Sequence, residues 1–363
     1  MITTITAGMT PTQYLDALNN NFTQLRTDWS AGADSFIVLG STTATPNNIN
    51  GNLRQNKITY GQKASSYVYA LNEGLTADVS RFQDGLIEDV IDGWVYGEPT
   101  ALVSVDGNQI DLWFMRLEGG ENFIYYTYTT DGINFSEPQK TDIPEGYIRN
   151  HILKVGSTYY LYLTGTAAAI DTSIHLFTST DKLHYTDQGQ VIGRGSAGSF
   201  DATNLGNPFV WKEGGDWFML YEAKLVYWSI GLATSANGIN WTKYSTSPVI
   251  TGSSNYGCGN PELPRVNNEV IKHDGKYYCY YHYSAKGTLY RAYSTDLHTW
   301  TVEGALLEVH PVHAGMLSYG DQCLVQFKGK SYLFLSPSNQ VDTAHIDCTI
   351  DNRTLAEMLA LYP

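Results

Sequence analysis

Three short stretches set a carboxyl or amide side chain close to a proline: Gly97-Glu98-Pro99, Gly206-Asn207-Pro208 and Glu262-Leu263-Pro264. A carboxyl group can give and take a proton, whereas an amide can bind but carries no charge. Related groups stand at Asp201, Glu269 and Asp321, in the Asn150-His151 pair, and at His313. By type, the carboxyl groups of this set can transfer a proton, and His151, Asn207 and Asp321 can hold a ligand. Each carboxylate also has a plainer reading, as a hydrogen-bonded strand end or loop residue. Aromatic rings offer a second kind of contact. Trp94, Tyr96, Trp228, Tyr256 and Tyr319 fall in or near loop-like sequence, where a ring can stack on a ligand. The tyrosines at 125–128 and 277–283 sit in alternating strand runs and read as packing.

Other chemistries are excluded early. None of Cys258, Cys279, Cys323 and Cys348 is spaced C-x-x-C, which argues against a zinc knuckle or thioredoxin-type site. Cys279, inside YYCYYHY, reads as a small buried thiol. No cofactor is expected, and no pattern calls for calcium. The 363 residues carry 22 basic against 36 acidic side chains, a net charge of −14, so neither nucleic acid nor an anionic membrane surface is an expected partner. No apolar run approaches the ~18 residues of a membrane span. The start MITTITAGMT lacks the pattern of a secretion signal, so synthesis in a cytoplasm is expected.

The elements that must position these residues are strands. Charged residues make up only 16%, and the place is taken by 27 Tyr, 34 Gly and many Ser, Thr and Asn, a composition suited to pleated sheets and tight turns. One polar corner recurs: TTDGINF, STDKLHY, SANGINW and STDLHTW end at Phe135, Tyr185, Trp241 and Trp300, at gaps of 50, 56 and 59 residues. In each, Asp or Asn stands four residues before the ring. Such side chains cap turns through backbone N–H groups. A second unit, apolar strand, Gly turn, aromatic strand, occurs five times, with turn glycines at Gly107, Gly156, Gly215, Gly275 and Gly329. Repeats of this period built of four short strands predict an all-β, five-bladed β-propeller, and the corner is read as architecture rather than chemistry.

The chain divides into an N-terminal region (1–93), the propeller (94–350) and a short C-terminal helix (351–363). Leu15, Leu18, Phe22, Leu25 and Trp29 recur at 3-4 spacing, a two-heptad seam that fits either a docked helix or a small bundle of identical chains, a trimer favoured. Residues 30–66 read as an extended arm, and a helix is expected around 81–91. Residues 341–350 are expected to supply the strand that closes the ring.

The five repeats, over roughly 94–350, resemble the five-bladed propellers of the glycoside hydrolase family 43 and 32 superfamily, with the S-T-D-L-x-x-W corner most similar. The start TAGMTPTQYLDALNNNF resembles the N-terminal segments of bacteriophage tail-fibre and other virion proteins. The first resemblance implies an inverting hydrolase with two carboxyl groups across a glycosidic bond, about 6.5–9.5 Å apart, and a third tuning the acid. It puts the base at Glu98, a Glu where the family has Asp, which moves the carboxylate by about 1.5 Å. It puts the acid at Glu262 and the tuning residue at Asn207, which has lost the charge; Asp201 is the substitute. With that set incomplete, the expected function is a bacteriophage tail-associated virion protein whose propeller recognises host-surface glycan. Its expected partners are glycan and other tail proteins, and its expected location the virion tail. The alternative is an inverting family-43-like hydrolase acting on a polysaccharide.

Overall fold

The computed structural model describes residues 79–83, 96–166, 172–225, 228–245, 247–251, 265–283, 288–307, 318–338, 346–351 and 354–356. The N-terminal seam, the arm, and the bulk of the C-terminal helix lie outside these residues. The described chain is almost wholly β. Strand β1 (Val79–Gln83) is followed by β2 (Tyr96–Val103), β3 (Ile110–Glu118), β4 (Glu121–Thr129) and β5 (Gln139–Lys140), of which β2 to β5 form one antiparallel sheet in that order. A second sheet runs β6 (Tyr147–Val155), β7 (Thr158–Gly165), β8 (Ser173–Ser179), β9 (Thr186–Ile192). The third is β10 (Asn204–Glu213), β11 (Asp216–Lys224), β12 (Trp228–Ser235), β13 (Trp241–Lys243), with β14 (Ile250–Thr251) also on β12. The fourth is β15 (Arg265–His273), β16 (Lys276–Tyr283), β17 (Thr288–Ser294), β18 (Thr301–Leu307). The fifth is β19 (Ser318–Phe327), β20 (Lys330–Ser338), β21 (Asp347–Asp351), with β1 outermost.

The first strand of each sheet packs on the first strand of the next, β2 on β6, β6 on β10, β10 on β15, β15 on β19, and β19 back on β2. This is a closed ring of five blades, the expected β-propeller. The fifth blade is closed by strands from both ends of the described chain. Residues 347–351, overlapping the expected 341–350, form its third strand. The outer strand comes from Val79–Gln83, ahead of residue 94, and the first residues of the expected 81–91 helix are that strand. An open edge on β21 offers backbone bonds to any extended segment, and β1 takes them.

The middle strands, such as β8 and β12, are buried on both faces and read as apolar runs, whereas the outer β5 and β9 are largely exposed. Leu161 and Leu163 of β7 pack with Trp113, Ile124 and Tyr126 of the first blade, while Tyr162 packs with Trp217 and Met219 of the third. Leu220 and Ile230 meet Cys279 and Tyr281 of the fourth, and Phe114 meets Phe334 of the fifth. Cys279 is a buried thiol, as expected. Tyr125, Tyr126, Tyr278 and Tyr281 are buried packing residues, whereas Tyr128 is exposed.

The recurring corner closes each of the first four blades in the same way. The hydroxyl of Thr129, Ser179, Ser235 or Ser294 accepts the N–H three residues on, at 2.9–3.0 Å. Oδ1 of Asp131, Asp181, Asn237 or Asp296 accepts the N–H groups two and three residues on, at 2.7–3.0 Å. The residue between them is left-handed, Gly132, Lys182, Gly238 or Leu297. The ring then drops against a neighbouring blade, as Phe135 does on Phe334 and Trp241 on Tyr162. The corner is architectural.

Candidate functional site

The inner strands do not run straight into the centre. In β2, β6, β10 and β19 the register slips by one residue, between Gly97 and Thr100, Ile148 and His151, Gly206 and Phe209, and Gly320 and Cys323. β15 slips by two, between Arg265 and Glu269. A bulge of this kind bends a strand and re-aims a side chain, and bulges gather beside active sites. The first bulged residue in three blades is non-glycine and left-handed: Glu98 at φ 58°, Arg149 at 57° and Asn207 at 46°. Such backbone costs of order 1–3 kcal/mol and persists where surroundings enforce it.

Here the enforcement is visible. The Glu98 N–H donates to Ser336 Oγ at 2.8 Å, and the Asn207 N–H to Thr164 Oγ1 at 2.9 Å. Ser336 and Thr164 hold the same place, on the second strand of the preceding blade, opposite Gly320 and Ile148. In the first blade that place is Met115, whose thioether is a poor acceptor, and the Arg149 N–H donates instead to the Glu98 carboxylate. At the residue just past the bulge in β2, β6 and β19, further bonds tie the blades together. Thr100 Oγ1 accepts the Ile152 N–H at 3.2 Å, His151 Nε2 donates to the Val210 carbonyl at 2.7 Å, and Cys323 Sγ takes the Ala101 N–H at 3.2 Å.

The bulges line a small central cavity of about 30 Å³ with Glu98-Pro99-Thr100, Arg149-Asn150-His151, Asn207-Pro208-Phe209 and Gln322-Cys323. That volume has room for one or two waters, not for a sugar ring. A charged cluster crosses the floor. Arg149 Nη1 lies 3.3 Å from Glu222 Oε2, and its Nε lies 3.9 Å from Glu98 Oε1. Asn207 Nδ2 donates to the same Glu222 oxygen. The Glu222 side chain has no exposed surface and that of Glu98 is 12% exposed. His151 packs on Phe209, and burial pulls its pKa down to about 4, which leaves the ring neutral at ordinary pH. The buried Oδ1 atoms of Asn150 and Asn207 accept no hydrogen bond from the described residues.

The structure therefore brings Glu98, His151 and Asn207 to one cavity. Asp201 is elsewhere: it is buried against Lys243, at 2.5 Å, and Ser199, at 2.6 Å, and is not among the cavity residues. It pins a loop. Asp321 occupies the bulge of β19 and Tyr319 stands two residues before it. Trp94, Tyr256, Glu262 and His313 lie outside the described residues. Trp228 opens β12 and is buried, with Lys224 over its ring at 5.2 Å, so it offers no free face. Two members were not anticipated. Arg149 is one residue ahead of the Asn150-His151 pair, and no proline marks its bulge. Glu222 lies mid-strand in DWFMLYEAK, where a lone carboxylate among apolar residues was the available signal.

The same ring is found in solved enzymes. The fold is shared with glycoside hydrolases of family 43. BT0996, solved in a complex with RGII, is similar to this chain with a TM-score of 0.61 at 13% identity, over 75% of this chain and 92% of its own length. A thermostable family-43 glycoside hydrolase is similar with a TM-score of 0.58 at 13% identity, over 74% and 91%. The GH43_1 enzyme of Xanthomonas citri complexed with xylotriose is similar with a TM-score of 0.53 at 13% identity, over 73% and 88%. No protein-family model matches the sequence, and no curated protein matches it significantly. These likenesses overturn the expected function as a bacteriophage tail protein, since they point to glycoside hydrolases and none to a virion. That expectation leaned on the likeness of a short N-terminal segment, on the two-heptad seam beside it and on a carboxylate set judged incomplete, none of which bears on the fold of the propeller.

Proposed function

We propose that the chain is a glycoside hydrolase that cleaves a polysaccharide with inversion. The observation that carries this reading is the convergence of Glu98, Arg149 and Asn207, one from each of three blades and each from a strained bulge, onto one cavity, with Glu222 behind the lining and bonded to Arg149 and Asn207. Glu98 is the base. It takes a proton from a water on the cavity floor as the water oxygen attacks the anomeric carbon. The bond from that carbon to the leaving oxygen breaks, and Glu262 supplies the proton that the leaving oxygen needs. Arg149 keeps Glu98 charged and oriented, and the Asn150 and Asn207 amide oxygens are acceptors suited to hydroxyl groups. Sugar binding and water activation thus fall to different residues of one floor.

The test is a panel of arabinan, xylan and fructan oligosaccharides, followed by proton NMR of the released anomer. Cleavage with inversion, abolished in both Glu98→Gln and Glu262→Gln, is the expected result. Retention of anomeric configuration, or cleavage that survives Glu98→Gln, would overturn the assignment.

A further inference from the structure

Ser336 of β20, Thr164 of β7 and Glu222 of β11 occupy one structural place in three blades, the second-strand residue opposite the start of the bulge. In two of them a hydroxyl accepts the N–H of the next blade's bulge, and that is sufficient for the backbone. Glu222 brings to the same place a carboxylate with no exposed surface. A buried charge is expensive, and a buried ion pair adds little stability over an apolar pair of the same size. Its partners show what the charge does. Asn207, on the adjacent strand, and Arg149, from the preceding blade, both donate to Glu222 Oε2. Arg149 is in turn held by Glu98, through its backbone N–H and its guanidinium.

We propose that Glu222 is a positioning residue, which through Arg149 and Asn207 fixes the Glu98 carboxylate and sets the charge of the cavity floor. Blade three carries an amide at its bulge where blade one carries a carboxylate, and the charge has moved one hydrogen bond away, onto the neighbouring strand. The role in catalysis rests on the hydrolase reading above; the coupling to Glu98 does not. Among the described residues, the titratable groups near Glu98 are Arg149 and His151 on β6, with Glu222 on β11 beyond Arg149; Asp321 occupies the matching bulge position of β19.

The experiment follows the Glu98 carboxyl by carbon-13 NMR across pH, its resonance assigned by its loss in Glu98→Gln. Glu222→Thr places at this position the hydroxyl found in two other blades, and so preserves the architecture while removing the charge. In Glu222→Thr and Glu222→Gln the Glu98 midpoint is expected to fall by about one pH unit, because a like charge has gone and Arg149 serves Glu98 alone. Asn207→Asp adds a charge beside Glu222 and is expected to raise the midpoint by a similar amount. Paired with Glu222→Gln, Asn207→Asp should bring it back towards the wild-type value. If the Glu222 variants fail to fold, Asn207→Asp alone decides. On a cleaved substrate Glu222→Thr should lower kcat about 10- to 100-fold with little change in KM. A Glu98 midpoint that does not move in a folded variant overturns the proposal. Midpoints that move in a protein that cleaves no glycan would remove the hydrolase reading and leave the coupling in place. An active enzyme whose Glu98 ignores residue 222 would do the reverse.

Discussion

Arg149→Met tests the construction of the cavity floor most directly. The guanidinium stands between two carboxylates, 3.3 Å from Glu222 and 3.9 Å from Glu98, and the Glu222 side chain is wholly buried. Methionine keeps most of the stem and pairs with neither. Removing one partner of a buried pair costs about 3–5 kcal/mol, because the remaining charge stays out of water. The Asn207 amide still donates to Glu222, which places the expected loss at the lower end, about 3 kcal/mol. For a domain of this size that corresponds to a fall in Tm of roughly 6–12 °C. Arg149→Met combined with Glu222→Met removes both charges and should recover much of the loss, giving a coupling of about 2 kcal/mol. Urea unfolding of the four proteins at one pH and salt concentration, followed by tryptophan fluorescence, supplies the cycle. A single variant within about 1 kcal/mol of wild type, or a double variant whose losses merely add, would refute the picture of a buried clamp.

Three further outcomes are expected. Gly132→Ala should destabilise the first blade by about 2 kcal/mol or more in thermal unfolding. The new Cβ would come within 2.7 Å of the Tyr332 ring, whereas Lys182 and Leu297 already occupy the same left-handed position in other corners. Asp131, Asp181 and Asp296 are held below the usual carboxylate range, chiefly by backbone N–H bonds, Asp296 at about 2. Their stabilisation is complete above the ordinary value near 3.8 and is lost as pH falls through the folded value. Replacing all three with Asn, which the Asn237 corner already uses, should flatten the fall of Tm below pH 4. Deleting residues 1–77 should leave a monodisperse propeller in size-exclusion chromatography, while deleting 1–84 removes β1, exposes the β21 edge and should cause association.

What was legible in the sequence was what local chemistry dictates. An Asx corner is made by four or five adjacent residues, and a hairpin by its turn, so five blades can be counted from TTDGINF, SANGINW and the turn glycines without any tertiary information. Glu98 and Asn207 were found through the family resemblance, whose motifs put a proline after the site residue; the structure gives the physical sense of that mark, since proline is tolerated in a sheet mainly at an edge or a bulge. Arg149 was missed by one residue because its bulge carries no such mark: YIRNHILKV reads as an unbroken strand, and the register slip between Ile148 and His151 exists only in the pairing with β7. Asp201 was drawn to the site by its closeness in sequence to Asn207. It is bound to Lys243, which arrives from 42 residues away and whose claim no local pattern announces. β1 was read as the start of a helix for the same reason, since its partner lies at the far end of the chain.

Glu222 shows the most consequential limit. Its strand neighbours Leu220 and Tyr221 are wholly buried, so a rule that places carboxylates at strand ends passes it by. Yet a polar residue inside a strand buried on both faces is itself a statement, because burial there is strongly unfavourable unless partners are supplied. In this propeller the partners come from Asn207, one strand away, and from Arg149, one blade away. A loss of charge at a bulge position is therefore no evidence that a floor has lost its charge. It has to be weighed against the residue that faces the bulge across the hairpin, which at Gly206 is Glu222.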